Sequence, residues 1–174
     1  MITIISATIR NNSNTLKVAN EYQHILNAKN IENKLLSLHT ITKNQMSDLI
    51  YNEDSEGFTK LQEEYFFHVE KFIFITPEYN GSIPGVLKVI LDASDLKKSF
   101  YNKKALLTGI ATGRAGNLRG LDHLSGILNN MRVNVHWNKL PISKIDQEID
   151  PDGKFHNPET MKVVSKQIED FMNF

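Results

Sequence analysis

Cysteine is absent from the 174-residue chain. That removes disulfides, a thiolate nucleophile, thiolate zinc sites and iron–sulfur clusters, so any redox chemistry has to run through a bound cofactor. Net charge is absent as well, because 20 basic residues balance 20 acidic ones. A neutral chain has no bulk attraction to a polyanion or an anionic bilayer, and neither nucleic acid nor a membrane is an expected partner. No apolar run approaches the roughly 18 residues of a membrane span. Met1 leads into a short apolar run without a preceding basic region or a small-residue cleavage site, so no secretory signal is expected and the cytoplasm is the expected compartment. The six histidines, His24, His39, His68, His123, His136 and His156, never fall into H-x-x-x-H or H-E-x-x-H spacing, and no metal site is expected. A Walker sequence and a G-x-G-x-x-G after the first apolar run are also missing, which argues against ATP hydrolysis and Rossmann-type dinucleotide binding. Ser82 and Ser125 lack the G-x-S-x-G context of a serine hydrolase.

What is present is an alternation of short apolar runs with helical spacing, on a chain whose length suits one domain over residues 1–174. Ile2 to Ser6 reads as a β-branched strand, and Asn14 to Lys29 as a helix with Leu16, Ala19, Ile25 and Leu26 on one side and Ser13 or Asn14 as its cap. Lys34 to Leu38 is a second strand, and His39 to Asp54 is expected to be loop with one short helical turn. Glu56 to Glu70 returns to helical spacing through Phe58, Leu61, Tyr65 and Val69. Phe72 to Ile75 is wholly apolar, as a strand covered on both faces should be, and is the expected centre of the sheet. Pro84 opens a helix to about Asp95, Ala105 to Ala111 is a fourth strand, a glycine-punctuated loop runs into a helix ending near Met131, Val133 to Trp137 is a fifth strand, and Pro158 to Phe171 a closing helix. Such alternation implies an α/β fold, a parallel sheet with helices on both faces and right-handed crossovers. Ligands of these sheets bind beyond the carboxyl ends of the strands, where the loops after strands one, three and four meet.

Three loops therefore carry the functional reading. Ala7 to Thr15 offers three hydroxyls, the Arg10 guanidinium and amide donors just before a helix. These groups suit a phosphate, although Ser, Asn and Thr also serve turns and caps for local reasons. Thr76 to Gly85 holds two prolines and two glycines around Tyr79. Its backbone either approaches a flat ligand or forms a rigid strand-to-helix turn. Thr112 to Gly120 brings flexible backbone with Arg114 and Arg119, which meet dinucleotide phosphates or stand as solvated surface charges.

Two stretches, Thr8-Ile9-Arg10-Asn11-Asn12-Ser13 and Thr76-Pro77-Glu78-Tyr79-Asn80-Gly81-Ser82-Ile83-Pro84-Gly85-Val86-Leu87-Lys88, resemble the NADPH-dependent FMN reductase family. Its usual pattern in the second stretch is a Pro-Glu-Tyr-Asn loop, a proline a few residues on, then Leu-Lys and an Asp. Leu87, Lys88 and Asp92 stand at those places, and the likeness extends through Gly113 to Leu124. The resemblance implies a flavodoxin-like three-layer sandwich with a five-stranded parallel sheet in the order 2-1-3-4-5. It implies FMN as cofactor, NADPH or NADH as co-substrate, a small-molecule electron acceptor such as a flavin, quinone or azo compound, and a homodimer or homotetramer. By the same resemblance Thr8, Arg10, Ser13, Asn14 and Thr15 would hold the phosphate, Pro77, Glu78, Tyr79, Asn80 and Gly81 would wrap the isoalloxazine, and Thr112, Gly113, Arg114, Gly116 and Asn117 would line its other side. No catalytic side chain is expected, since the flavin N5 carries the chemistry.

Two departures stand out: Ala7-Thr8 where the family commonly has Gly-Ser, and Gly116-Asn117 where it often has paired glycines. Alanine restricts backbone angles that glycine permits. Two other readings stay open. One is a non-enzymatic flavodoxin-like electron carrier, against which the neutral charge stands. The other is a flavodoxin-like binding protein with weakened FMN affinity, suggested by the two departures.

Overall fold

The computed structural model describes residues 1–51 and 56–174. Its centre is a parallel sheet in which β1 (Ile2–Ser6) lies between β2 (Asn33–Ser37) and β3 (Lys71–Pro77), with β4 (Lys104–Ile110) next to β3. Register is direct, with Ile4 opposite Leu35 on one side and Ile73 on the other. β3 has the two-sided burial its sequence predicts. Ile73 and Ile75 join the core beneath α1 (Asn14–Ala28) and α7 (Pro158–Met172), whereas Phe72 and Phe74 join the core on the opposite face, beneath α4 (Gly85–Ala93) and α6 (Leu118–Asn130). Alternate residues of a strand point to opposite faces, so an uninterrupted apolar run serves both layers. Phe66, Phe72, Phe74 and Phe100 pack ring against ring at centroid distances of 5.4 to 5.9 Å.

The stretch after β2 differs from expectation. Leu38–Thr40 forms a 3-10 turn and Lys43–Tyr51 a two-turn helix, α2, where a loop with one helical turn is expected from the sequence. Residues 52 to 54 of that expectation lie outside the described residues. The physical signal is a reciprocal cap: the Thr42 N–H donates to Gln45 Oε1 at 2.9 Å while the Gln45 N–H donates to Thr42 Oγ1 at 3.2 Å. A Thr-x-x-Gln box satisfies two helix-start donors at once and is visible in sequence.

The next helix also changes character. α3 (Glu56–Gln62) widens into a π-helical turn at Glu63–Phe67. Gln62, almost fully buried, turns its Oε1 toward the Asp95 N–H at 2.8 Å and the Ser99 hydroxyl at 3.2 Å, tying this turn to α5 (Leu96–Ser99). The carbonyls of Phe66 and Phe67 accept from Lys103 Nζ, as cations often do at helix C-termini. Burial pushes the Lys103 ammonium down to about 8. Its unfolded value is about 10.4, so between those limits the unfolded chain binds the extra proton and stability rises with pH. Against a Lys103→Met variant, the wild type should therefore gain in urea midpoint on going from pH 7.5 to 9.5; a constant difference between the two proteins would contradict this assignment.

The fifth position in the sheet is filled by two short strands. β5 (Asn134–Val135) pairs with Lys104 and Ala105, and β6 (Leu140–Ile142) pairs with Thr108, Gly109 and Ile110 of the same neighbour. The order is thus 2-1-3-4-5 as expected, with a sixth strand continuing the fifth. Between them the His136 N–H still donates to the Ala105 carbonyl at 2.8 Å, residues 137 to 139 leave the ladder, and the Gln167 amide from α7 takes over: its Nε2 donates to the Leu107 carbonyl at 3.2 Å and to the Asn138 carbonyl at 2.9 Å. Beyond β6 the chain makes a 3-10 turn, Ile145–Gln147, and a small hairpin closed by the Ile149–Phe155 bridge. Gly153 at its tip has φ +90° and no room for a side chain, since a Cβ would come within 2.6 Å of Lys17 Cβ.

Candidate functional site

Strand order reverses between β1 and β3, and a ligand site is expected beyond the carboxyl ends of the strands there. A cavity of about 760 Å³ lies at that rim, within the roughly 300–1,000 Å³ typical of cofactor sites. Its walls are the first loop from Arg10 to Thr15, Pro77 to Tyr79 after β3, Ile110 to Ala115 after β4, and Ile145.

The first wall ends in a helix start. Ser13 caps α1, its hydroxyl accepting the Leu16 N–H at 3.2 Å. Helix geometry leaves the N–H groups of Asn14 and Thr15 without intrahelical acceptors, and that end of the helix carries partial positive charge. The Asn14 Nδ2 donates to Asp146 Oδ1 at 2.6 Å. Arg10 has no carboxylate partner among the described residues, and its guanidinium stacks 4.2 Å from the centroid of the Tyr79 ring.

Thr8 is buried and sits behind the wall. Its hydroxyl meets Tyr79 Oη at 2.7 Å and accepts the Arg10 N–H at 3.2 Å. The first two loops are therefore latched together twice, by a hydroxyl pair and by a cation–π stack. Asn80 (φ 52°) and Gly81 (φ 75°) make a tight turn behind Tyr79, where Tyr79 and Ser82 exchange backbone hydrogen bonds at 2.9 and 3.1 Å. Two left-handed residues in a row are what an Asn-Gly hairpin turn requires. Neither residue lines the cavity.

On the third loop Thr112, Gly113 and Arg114 line the cavity, while Gly116 and Asn117 lie beneath it. Gly116 (φ +57°) packs against Pro141 and Ile142 so closely that a Cβ would meet the Pro141 carbonyl carbon at 2.7 Å. Asn117 is fully buried in the left-handed region, and its Nδ2 donates to the Thr76 carbonyl at 3.0 Å and the Pro77 carbonyl at 2.9 Å. The Glu78 carboxylate accepts the Asn117 N–H at 3.2 Å. Arg119 stands outside the cavity wall.

The sequence departures thus take a definite form. Ala7 and Thr8 are not among the residues with positive φ, so alanine costs nothing in backbone angle at that place. Asn117 points away from the cavity and does not narrow it. Ile145 is a wall residue that the sequence pattern did not single out, because it arrives on an aperiodic segment whose course depends on the Lys144 N–H bonding to the Gly113 carbonyl at 3.0 Å. Among the described residues no group of three or more His, Asp or Glu is placed to hold a metal ion, and no helix is long and apolar enough to cross a membrane.

A helix start whose first N–H groups lack intrahelical acceptors, facing one cavity with the loops after β3 and β4, suits a flat, singly phosphorylated cofactor. Together with the strand order, this arrangement defines a flavodoxin-like α/β protein. The family model for NADPH-dependent FMN reductase matches residues 1–146. Among curated relatives, NAD(P)H-dependent FMN reductase PA1204 of Pseudomonas aeruginosa is 28% identical over 128 residues, 69% of each chain. NAD(P)H-dependent FMN reductase LOT6 of Saccharomyces cerevisiae is 24% identical over 168 residues, 86% of each. The solved structure of FerB, a flavoenzyme NAD(P)H:(acceptor) oxidoreductase from Paracoccus denitrificans, superposes with a TM-score of 0.80 at 20% identity, covering 99% of this chain and 94% of that one. This chain belongs to the NADPH-dependent FMN reductase family. It is an oxidoreductase of that class, with FMN as cofactor and a nicotinamide dinucleotide as electron donor.

Proposed function

We propose that the cavity described above holds FMN and that electrons from NADPH or NADH leave it for a small acceptor such as a free flavin, a quinone or an azo compound. The observation that carries this reading is the joining of three walls at the sheet's reversal point, with a helix start at one end and a guanidinium that has no carboxylate partner among the described residues. FMN supplies hydride-accepting chemistry when bound. The chain's own residues bind, orient and shield it. Arg10, Ser13, Asn14 and Thr15 bind the phosphate, to which a guanidinium can offer two parallel N–H donors. Pro77, Glu78 and Tyr79 face the ring from one wall, and Thr112, Gly113 and Arg114 from the next. Thr8, Asn80, Gly81, Gly116 and Asn117 act behind these walls, setting their course. Ile110, Ala111 and Ile145 supply the apolar floor that keeps water from the ring.

The chain works as a single domain in this reading, in the cytoplasm, and as a homodimer or homotetramer. Anaerobic mixing of the FMN-loaded protein with NADPH should bleach its yellow absorbance, and admitting a quinone should restore it. A spectrum unchanged by both NADPH and NADH would overturn the proposal.

A further inference from the structure

We propose that Asn117 is a positioning residue for the flavin, a buried clamp that holds the two ring-facing loops in fixed register. This inference rests on the FMN site proposed above. Asn117 sits where β4's loop enters α6, with its backbone in the left-handed region at φ 65°. Three of its hydrogen bonds cross to the other loop: Nδ2 to the Thr76 carbonyl at 3.0 Å, Nδ2 to the Pro77 carbonyl at 2.9 Å, and its N–H to Glu78 Oε2 at 3.2 Å. Its carbonyl meanwhile accepts the Leu121 N–H at 3.0 Å, anchoring the clamp to the first turn of α6. One residue thus bonds to Thr76, Pro77 and Glu78, the last two of which form a cavity wall.

The surroundings are cut to admit this side chain. A Cβ on Gly120 would stand 2.1 Å from Asn117 Oδ1, and a Cβ on Gly109 would stand 2.4 Å from the Gly116 carbonyl and 3.0 Å from Asn117 Cβ. Glycine at position 120 lies in the first turn of α6, where it is a poorer helix former than alanine, and that cost is offset by the space it leaves. Asn117 Oδ1 is buried without a hydrogen-bond partner. A buried orphan acceptor is itself unfavourable, and the side chain nevertheless stays in, held by its two amide donations. The clamp therefore fixes the loops before any ligand arrives, and binding does not have to order them.

Asn117→Gly tests this cleanly, because glycine keeps the left-handed backbone and the N–H to Glu78 while deleting the two amide donations. Titrated with FMN and followed by quenching of flavin fluorescence, the variant should bind roughly 10- to 100-fold more weakly than wild type. At saturating FMN its visible band should lose the vibronic shoulder of a tightly held ring. A residue of purely structural importance would lower the melting temperature and leave both readouts unchanged below the transition, which would overturn the proposal. Gly120→Ala should weaken FMN binding similarly by driving Asn117 from its slot, yet add no further loss in the Asn117→Gly background. The double variant also regains helix propensity in α6 and remains foldable if Asn117→Gly alone is too unstable to titrate. Equal losses from Gly120→Ala in both backgrounds, or none in either, would equally reject the clamp. Failure of the wild type to take up FMN would instead refute the cofactor site itself.

Discussion

Arg10→Ala should weaken FMN binding about 100-fold, the largest effect of any single change in the cavity wall. The guanidinium has no carboxylate to release, since none pairs with it among the described residues, and its stack on Tyr79 at 4.2 Å already holds it beside the start of α1. A charge-assisted, two-pronged bond to phosphate is worth about 1.5–3 kcal/mol, or one to two decades in affinity. Arg10→Lys keeps the charge and loses the planar fork, so it should recover only part of the deficit. The latch gives a further signature. With Arg10 gone, Tyr79 keeps its hydroxyl bond to Thr8 at 2.7 Å but loses its stacking partner, so the ring-facing wall should loosen as well. Fluorescence titration of FMN against the three proteins measures this. Equal dissociation constants for wild type and Arg10→Ala would place the phosphate elsewhere.

Gln167→Leu should destabilise the protein by about 3 kcal/mol or more, lowering the melting temperature by roughly 10 °C. This glutamine is completely buried and uses both ends of its amide. Its Nε2 supplies the Leu107 and Asn138 carbonyls where the fifth strand leaves the ladder. Its Oε1 accepts from the Tyr22 hydroxyl at 2.8 Å and the Thr108 hydroxyl at 3.1 Å, and those two hydroxyls also meet at 2.9 Å. Burial pushes the Tyr22 hydroxyl well above the usual phenol range, so it remains a neutral donor. Leucine is close in size, so the loss is of hydrogen bonding: two carbonyls each lose a donor, and the two buried hydroxyls lose their shared acceptor and keep only each other. Tyr22→Phe removes one donor and leaves Thr108 to serve the glutamine, so it should cost only about 1 kcal/mol. Urea denaturation of the three proteins checks the ranking. A Gln167→Leu variant as stable as Tyr22→Phe would show that the network carries little.

Sequence pattern reached the layers and the rim of this fold because those rest on local physics. Alternation in β3 and 3.6-residue spacing in α4 and α7 leave readable traces, and the strand order follows the family likeness. The rim residues Arg10, Ser13, Tyr79 and Gly113 were legible because loops after parallel strands converge by topology. What stayed hidden depends on contacts between distant segments. The division of the fifth strand cannot be seen in residues 133 to 142, since its support comes from Gln167, some 30 residues away. Ile145 reaches the wall through an aperiodic hairpin. Thr8 and Asn117 are ligand contacts by the family resemblance, and their bonds to Tyr79 and to Thr76 and Pro77 join loops distant in sequence and leave no trace in it. The α2 helix is the opposite case: the Thr42–Gln45 box was there to be read, and the polar composition around it obscured the signal.

The divided fifth strand has a consequence for solubility. A sheet's border is a template for intermolecular pairing when it offers a long, straight row of free N–H and C=O groups. The border beyond β4 is two fragments of two and three residues, and residues 137 to 139 between them make no backbone bond to β4. An incoming strand finds no continuous row to zip onto at this border, so the break that Gln167 sustains also blunts edge-to-edge pairing there and leaves β2 as the sheet's one unbroken edge.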